Sequence, residues 1–279
     1  MKNKLTAYLN ILRPVNFLIT FSTAVVAVFI CSVDNFLITV ALFAGLSSGF
    51  TASAGNIIND IFDIEIDKVN RPDRPIPSGK ILYKEALVIY FIFLLLSFIF
   101  SWFINLPAFT IVVATTFLLF LYSKYLKRIP LVGNAVVAFL TGLVFIYGGV
   151  AVENPVTAVI PALFAFLINF TREIVKDMQD VEGDKKAGIN TFPIKFGNKK
   201  SKHLILVVTL FLILYTIYPF ITQLYRIEFF IMVMIVVNPL LVYSLKILFK
   251  NDSPESLNKI SNLLKLDMVL GLIAIYLGI

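Results

Sequence analysis

Residues 85–104 read EALVIYFIFLLLSFIFSWFI, and after a short break the apolar sequence resumes as PAFTIVVATTFLLFLYS over 107–123. An α-helix rises about 1.5 Å per residue, so about 20 apolar residues cross a hydrocarbon core about 30 Å thick. Similar runs recur along the chain, in which 59% of the residues are hydrophobic and 15% are charged. Soluble domains carry about 25% charged residues. The composition therefore predicts an all-α integral membrane protein.

The apolar runs, and the charged or proline-containing breaks between them, predict nine transmembrane spans. We expect these spans to belong to a single polytopic membrane domain that covers residues 1–279. The predicted spans lie near residues 15–33, 36–58, 85–104, 107–123, 131–150, 156–176, 203–221, 227–248 and 261–278.

The basic residues predict the orientation of these spans. With the N-terminus inside, all of the 24 lysines and arginines except Arg226 fall on one side of the membrane. Because basic residues favour the cytoplasmic side, we expect a multi-pass protein of the cell membrane with a cytoplasmic N-terminus and an outside C-terminus. The net charge of +7 then indicates contact with membrane lipid and no nucleic-acid partner. The long polar connections 60–84 and 177–202 both lie on the cytoplasmic face, where we expect the functional site.

Each of these two connections begins with three aspartates spaced i, i+3, i+7. On a continuous helix this spacing aligns three carboxylates on one face, where they repel one another and need cations nearby. The clusters follow the second and sixth spans, which suggests two pseudo-repeated four-helix halves plus a last helix. The first cluster consists of Asp60, Asp63 and Asp67, and the second consists of Asp177, Asp180 and Asp184.

Carboxylates without histidine or cysteine favour a hard cation such as Mg2+, which commonly keeps water and substrate phosphates as further ligands. All six aspartates are therefore the predicted metal ligands, and a pyrophosphate is the expected substrate group. The spacing does not fit an EF-hand loop. The single histidine, His203, and the single cysteine, Cys31, leave no ligand set for zinc. The alternative is a pair of solvated acidic loops, which the shared spacing makes less favoured.

Basic residues follow the first cluster in a loop that contains several prolines. Arg71 and Arg74 are suited to gripping phosphate oxygens through paired hydrogen bonds. Lys68 and Asn59 flank the aspartates and are further candidates for substrate binding. The alternative for the basic residues is that they only obey the positive-inside rule.

Other polar residues stand where spans meet the cytoplasmic face. Arg172, Glu173 and Lys176 precede the second cluster, and charged residues so close to hydrocarbon commonly serve a site. Tyr122 and Lys127 end the fourth span, although tyrosine is also an ordinary interfacial anchor. Arg13 and Asn16 stand where the first span enters the membrane, and Asn16 is a candidate for substrate binding that suggests a polar cavity wall.

These motifs resemble those of the UbiA superfamily of intramembrane prenyltransferases along nearly the whole chain. Asn59-Asp60-x-x-Asp63-x-x-x-Asp67 is similar to the first Asp-rich motif of that family, and the second cluster is similar to its second motif. The resemblance implies nine helices around a central cavity. It also has a departure: the family's Tyr-x-x-x-Lys element does not fit Tyr122 and Lys127, which four residues separate. Tyr125 with Arg128 or Lys127 is the alternative pair.

Residues 171–194 resemble the branch of the family that makes archaeal ether lipids. The resemblance implies Mg2+-dependent transfer of a geranylgeranyl group from geranylgeranyl diphosphate to the hydroxyl of geranylgeranylglyceryl phosphate. The six aspartates and Glu173 would be catalytic, with Glu173 one candidate base among the carboxylates of the cap. Arg74, Lys127 and Lys176 would neutralise the departing pyrophosphate. The implied partners are the isoprenyl diphosphate, the lipid acceptor and membrane lipid, with no obligate protein partner.

Three alternatives stay open. The first is prenylation of an aromatic precursor of quinone, haem or chlorophyll. The second is a cation-coupled transporter, which should carry acidic residues near the middle of its spans. The third is an alcohol phosphatidyltransferase, whose motif has a Gly and an Ala-Arg pair in the region of Ile64, Glu65 and Ile66.

Overall fold

The computed structural model describes residues 2–32, 37–186 and 188–279. Over these ranges the chain is helical and contains no β-strand, so the all-α prediction is confirmed. The predicted span boundaries at residues 33 and 36 lie outside the described residues. The helices are α1 Lys2–Leu12, α2 Pro14–Cys31, α3 Ile38–Phe62, α4 Ile64–Asn70, α5 Tyr83–Trp102, α6 Leu106–Lys124, α7 Val132–Ala151, α8 Val159–Gln179, α9 Val181–Lys186, α10 Phe192–Tyr215, α11 Tyr218–Ile221, α12 Ile227–Met232, α13 Asn238–Lys250 and α14 Pro254–Gly278.

Within the described ranges, eight helical segments are long and apolar enough to cross a membrane. A further helix, α8, has 21 residues but carries several charged residues near its C-terminal end. The integral membrane character is thus supported, while the ninth span and the repeated halves stay predictions. The eight segments are Thr6–Cys31, Ile38–Phe62, Tyr83–Trp102, Leu106–Lys124, Val132–Ala151, Phe192–Ile221, Ile227–Lys250 and Pro254–Gly278.

The chain divides into two compact units. The first contains Met1–Lys127 and Leu143–Val159, and the second contains Arg128–Gly142 and Ile160–Ile279. Each unit holds one of the two aspartate clusters. The single polytopic domain and its central cavity remain predictions.

Small residues along α3 organise the first unit. A side chain at Gly49 would meet the ring of Phe17 at 2.7 Å, and one at Gly45 would meet the ring of Phe21 at the same distance. Phe17 in turn packs edge-on against Phe50, with ring centroids 5.3 Å apart. Small residues allow such close approach of membrane helices. The packing fixes α2 against α3 and so positions the start of α2 beside the end of α3.

The second unit contains a break in helical regularity and a buried acid. Pro239 has no N–H to donate, and the turn before it, Val233–Val237, widens to a π-helix closed by the Asn238 N–H on the Val233 carbonyl. Asp267 lies in the middle of α14 with 1% of its surface exposed. Within the described residues no donor reaches its carboxyl oxygens. A carboxyl group without a partner is costly in such surroundings. The sequence analysis did not single out this acid.

Candidate functional site

The first aspartate cluster spans a helix junction. Helix α3 ends at Phe62 and α4 begins at Ile64, so Asp63 lies between them with φ −95° and ψ 5°. The conditional expectation of one continuous helix is therefore wrong here. The backbone N–H of Asp63 still donates to the Asn59 carbonyl at 3.0 Å, and that of Asp67 donates to the Asp63 carbonyl at 2.7 Å. These bonds preserve the turn spacing across the interruption.

The second cluster repeats this arrangement. Helix α8 ends at Gln179 and α9 begins at Val181, so the middle aspartate, Asp180, is again the junction. Its backbone N–H donates to the Lys176 carbonyl at 2.9 Å, and the N–H of Asp184 donates to the Asp180 carbonyl at 2.9 Å. The shared spacing in the sequence thus corresponds to a shared local structure.

Two arginines neutralise the buried aspartates of the first cluster. Arg74 donates from Nη1 to Asp60 at 3.1 Å and also to Asp67. Arg13 donates from Nη2 to Asp60 and from Nη1 to the side-chain oxygen of Asn56 at 3.2 Å. The side chains of Asp60 and Asp67 are only 6% and 7% exposed. A carboxylate buried to this degree needs a charged partner, and both have one.

The middle aspartate of the first cluster has a lysine partner. Lys127 follows α6 in a short 3-10 turn, Leu126–Arg128, and its Nζ donates to Asp63 and, at 3.3 Å, to the side-chain oxygen of Asn59. Asn59 also donates to Asp63 at 2.9 Å. The structure therefore brings three of the predicted substrate-binding residues, Asn59, Arg74 and Lys127, together around the three aspartates, and their role in binding stays a prediction.

The second cluster has a different environment. Asn134 of α7 donates to Asp177 at 2.8 Å, and Asp180 is exposed. Burial, and then the neighbouring Asp180 charge, raise the pKa of Asp184 to about 6. Over the described part of the chain, no ion pair joins a lysine or arginine to these three aspartates. Within the described residues, the second cluster therefore lacks the cation partners that the first cluster has.

The charged residues before the second cluster pair among themselves. Arg172 donates from Nη1 to Glu173 at 3.0 Å. Lys176 donates to both oxygens of Glu173, at 3.0 and 3.1 Å. All three predicted residues therefore meet, on one turn of α8.

Other predicted residues lie apart from the aspartates or make different contacts. Lys68 is paired with Glu65 at 2.7 Å, and Arg71 is exposed at the end of α4. Asn16 is exposed near the start of α2. Tyr122 is half-buried near the end of α6, whereas the alternative residue, Tyr125, is exposed with Lys124 over its ring at 4.9 Å. Their assignment to substrate binding stays a prediction.

Two residues at the clusters were not assigned to the site from the sequence. Arg13 adopts a left-handed backbone at φ 47° and ψ 65°, between α1 and the proline that begins α2. The chain turns at Arg13, and the guanidinium of Arg13 reaches Asp60. Asn134 stands inside an apolar span, and a polar residue in that setting is a signal of a buried partner. That signal was present in the sequence.

The donor sets of both clusters fit a hard divalent cation. They offer carboxylate oxygens, which magnesium prefers, and water and phosphate oxygens commonly complete its shell. Within the described ranges, no three His, Cys, Asp or Glu side chains come together closely enough to hold a metal ion alone.

Comparison with known proteins shows the family to which the chain is similar. A family model described as the UbiA prenyltransferase family matches residues 19–266. The digeranylgeranylglyceryl phosphate synthase of Methanocaldococcus jannaschii is 38% identical over 99% of this chain and 96% of its own. The enzyme of the same name from Methanosphaera stadtmanae is 35% identical over 97% of this chain and 98% of its own.

Solved structures share the fold. One, from work on digeranylgeranylglyceryl phosphate synthase in membranes, has a TM-score of 0.85 and 37% identity, covering 100% of this chain and 99% of that one. A UbiA homologue from Archaeoglobus fulgidus bound to GPP and Mg2+ has a TM-score of 0.69 and 23% identity, covering 97% of this chain and 99% of that one. The second likeness carries the fold alone.

Proposed function

The chain belongs to the UbiA prenyltransferase family, and we propose that it transfers a geranylgeranyl group from geranylgeranyl diphosphate to the hydroxyl of geranylgeranylglyceryl phosphate. The observation that carries the proposal is the nearly full-length similarity to archaeal digeranylgeranylglyceryl phosphate synthases. The two aspartate clusters support it, because each offers oxygen ligands suited to a metal diphosphate.

We propose that the aspartates of the first cluster (Asp60, Asp63 and Asp67) and those of the second cluster (Asp177, Asp180 and Asp184) each serve as ligands for Mg2+. The shared spacing, the shared helix junction and the hard-oxygen donor sets support this assignment. Bound magnesium supplies charge neutralisation for the leaving diphosphate.

The cations of the first unit have a defined task in this mechanism. Arg13, Arg74 and Lys127 balance the aspartates in the structure. When the carboxylates bind a divalent cation, Arg74 and Lys127 become available to donate to diphosphate oxygens. Donors placed in this way stabilise the charge that develops as the allylic carbon–oxygen bond breaks and its electron pair passes to the diphosphate.

The carbon–oxygen bond of the product forms when the acceptor hydroxyl attacks the allylic carbon and loses its proton to a base. The carboxylates near the cytoplasmic ends of the helices, Glu173 among them, are the candidates for that base. The sequence contains 27 phenylalanines, and those in the bundle supply apolar walls that exclude water from the allylic cation.

The same proposal includes the topology. Nine spans with α8 as the sixth, a cytoplasmic N-terminus and site, and an outside C-terminus are supported by the distribution of basic residues, of which Arg226 alone falls on the outer side. The two-halves layout is supported by the equal local structure of the clusters.

The test is transfer of labelled geranylgeranyl diphosphate by the purified protein, with and without Mg2+. Geranylgeranylglyceryl phosphate and 4-hydroxybenzoate are compared as acceptors. We expect an ether-lipid product that disappears with EDTA and returns with Mg2+. Transfer to the aromatic acid alone would retain the family chemistry and overturn the proposed acceptor.

A further inference from the structure

Arg172 and Lys176 form a cation pair that is separate from the aspartates they precede. Both donate to Glu173, at 3.0 Å from Arg172 and at 3.0 and 3.1 Å from Lys176. Over the described residues neither makes an ion pair with the second cluster. The pair therefore already binds one anionic group of the protein itself, the Glu173 carboxylate.

The pair also has an unused donor. Nε of Arg172 is buried and has no hydrogen-bond acceptor within the described residues. A buried donor without an acceptor costs free energy, and a guanidinium donor costs more than a neutral one. The side chain of Arg172 is 16% exposed and that of Lys176 is 40% exposed, so an incoming group can reach both side chains, and a contact with the buried Nε requires the Arg172 side chain to shift. An anion with several oxygens satisfies Nε and Nη together, as phosphate groups do at arginine.

The substrates contain two separate phosphate groups that need cations. In the first unit, the side chains of Arg13, Arg74 and Lys127 contact the aspartates of the first cluster. When a metal diphosphate binds these aspartates, the three side chains would be freed from them. The acceptor carries a phosphate monoester of its own. A lipid phosphate that approaches the membrane surface needs a separate cationic partner, and the pair on α8 is not committed to an aspartate.

We propose that Arg172 and Lys176 bind the phosphate of the acceptor lipid, and that Glu173 is a positioning residue that holds the two cations until the acceptor arrives. This inference rests on the proposed function. It assigns Lys176 to the acceptor instead of the diphosphate, and it removes Glu173 from the candidates for the base. It makes the pair the determinant that favours a phosphorylated lipid over its uncharged counterpart.

The test measures the unaltered protein and an Arg172 variant with an acceptor that carries the phosphate and with one that lacks it. Geranylgeranylglyceryl phosphate and dephosphorylated geranylgeranylglycerol are compared as acceptors at fixed geranylgeranyl diphosphate. Arg172→Gln should lower kcat/KM for the phosphorylated acceptor by about 10- to 100-fold, the range for loss of a charged hydrogen bond. It should change the value for geranylgeranylglycerol, and the KM for the diphosphate, less than about twofold. An equal loss with both acceptors would overturn the inference.

Further variants separate binding from folding and from base catalysis. Arg172→Lys keeps the charge but lacks Nε, so the preference for the phosphorylated acceptor should fall to an intermediate value. Glu173→Gln should act mainly on the acceptor KM, whereas a collapse of kcat with both acceptors would restore Glu173 as a base. Lys199→Gln removes an exposed charge from the same unit and is the matched control, with both acceptors unchanged.

A ligand experiment on the unaltered protein completes the test. Glycerol phosphate should inhibit competitively against the phosphorylated acceptor and not against geranylgeranyl diphosphate, and Arg172→Gln should weaken that inhibition. Competition against the diphosphate would contradict the assignment. If the unaltered protein transfers nothing to geranylgeranylglyceryl phosphate, the proposed function fails. If it does transfer and Arg172→Gln keeps the phosphate preference, only this inference fails.

Discussion

The two aspartate clusters have the same spacing and the same helix interruption, yet they differ in what balances their charge. In the first, Arg13, Arg74 and Lys127 contact the three carboxylates. In the second, Asp177 accepts a hydrogen bond from the amide of Asn134, and over the described residues no cation pairs with the cluster. Equal sequence spacing therefore does not give equal electrostatics, because the balancing residues come from other parts of the chain.

The position one turn before each cluster shows the same contrast. Asn56 stands four residues before the first cluster and accepts from Arg13. Glu173 stands four residues before the second and accepts from Arg172 and Lys176. A neutral residue leaves its arginine able to pair with the aspartates, whereas an acid draws the cations to itself. We expect the aspartates of the first cluster to leave their arginine and lysine partners and bind metal when a diphosphate arrives. We expect the second cluster to bind metal in the absence of diphosphate.

The largest expected effect is the loss of one aspartate from either cluster. Asp60→Asn and Asp177→Asn should each lower the transfer rate by about 10³-fold, because each removes charge that stabilises the metal diphosphate. Radiolabelled transfer at saturating Mg2+ measures both. Asp252→Asn is the matched control, since Asp252 pairs with Lys202 at 3.1 Å outside the clusters. If Asp252→Asn lowered the transfer rate as much as the two cluster variants, the loss would not be specific to the clusters.

The next variant should separate metal binding from catalysis. Arg74→Gln removes the partner of Asp67 and one partner of Asp60, so without diphosphate the first cluster should bind Mn2+ more tightly. Transfer should nevertheless fall by about 10²-fold, since the diphosphate loses a charged donor. Mn2+ titration by electron paramagnetic resonance and a transfer assay report the two effects. Lys80→Gln, at an exposed site in the same loop, is the control, and a parallel fall in metal binding and transfer would contradict the exchange.

A smaller effect is expected from the amide at the second cluster. Asn134→Leu removes the donor to Asp177 and should weaken divalent binding by about 10-fold, within the range for a residue that orients a metal ligand. Mn2+ affinity without diphosphate is the measurement. Unchanged affinity would show that Asp177 does not bind the metal in that state.

The smallest effect is expected at a cation near the first cluster that does not touch it. Lys68 pairs with Glu65, and both side chains are more than half exposed. Lys68→Gln should leave transfer within about twofold, because exposed pairs contribute less than about 1 kcal/mol. Transfer kinetics check this directly. A tenfold loss would return Lys68 to the substrate site and weaken the distinction between contacting and merely neighbouring cations.

The sequence predicted the membrane class and both clusters well, because apolar length and aspartate spacing are local properties. It also placed Asn59 and Arg74 beside the first cluster, whereas the contact of Lys127 with Asp63 comes from the structure. The sequence did not predict the helix interruption at Asp63 and Asp180, because a spacing compatible with a helix does not require that helix to be continuous. The spacing also fixed neither the arginine that reaches Asp60 nor the amide that reaches Asp177, because these partners arrive through tertiary packing.

The buried acid of α14 shows a second limit. Asp267 lies in an apolar stretch, and the charge-based analysis concentrated on the connections between spans. Whether such a residue has a partner depends on the neighbouring helices. In the described structure no donor reaches it, so its burial follows from packing that one sequence does not specify.

Mn2+ binding to the purified protein without diphosphate tests the difference between the clusters most directly. The account predicts that Asp177→Asn abolishes this binding and that Asp60→Asn leaves it nearly unchanged. On addition of pyrophosphate, further Mn2+ should bind in the unaltered protein and fail to bind in Asp60→Asn. Equal loss of diphosphate-independent binding in the two variants, or its survival in Asp177→Asn, would contradict the account.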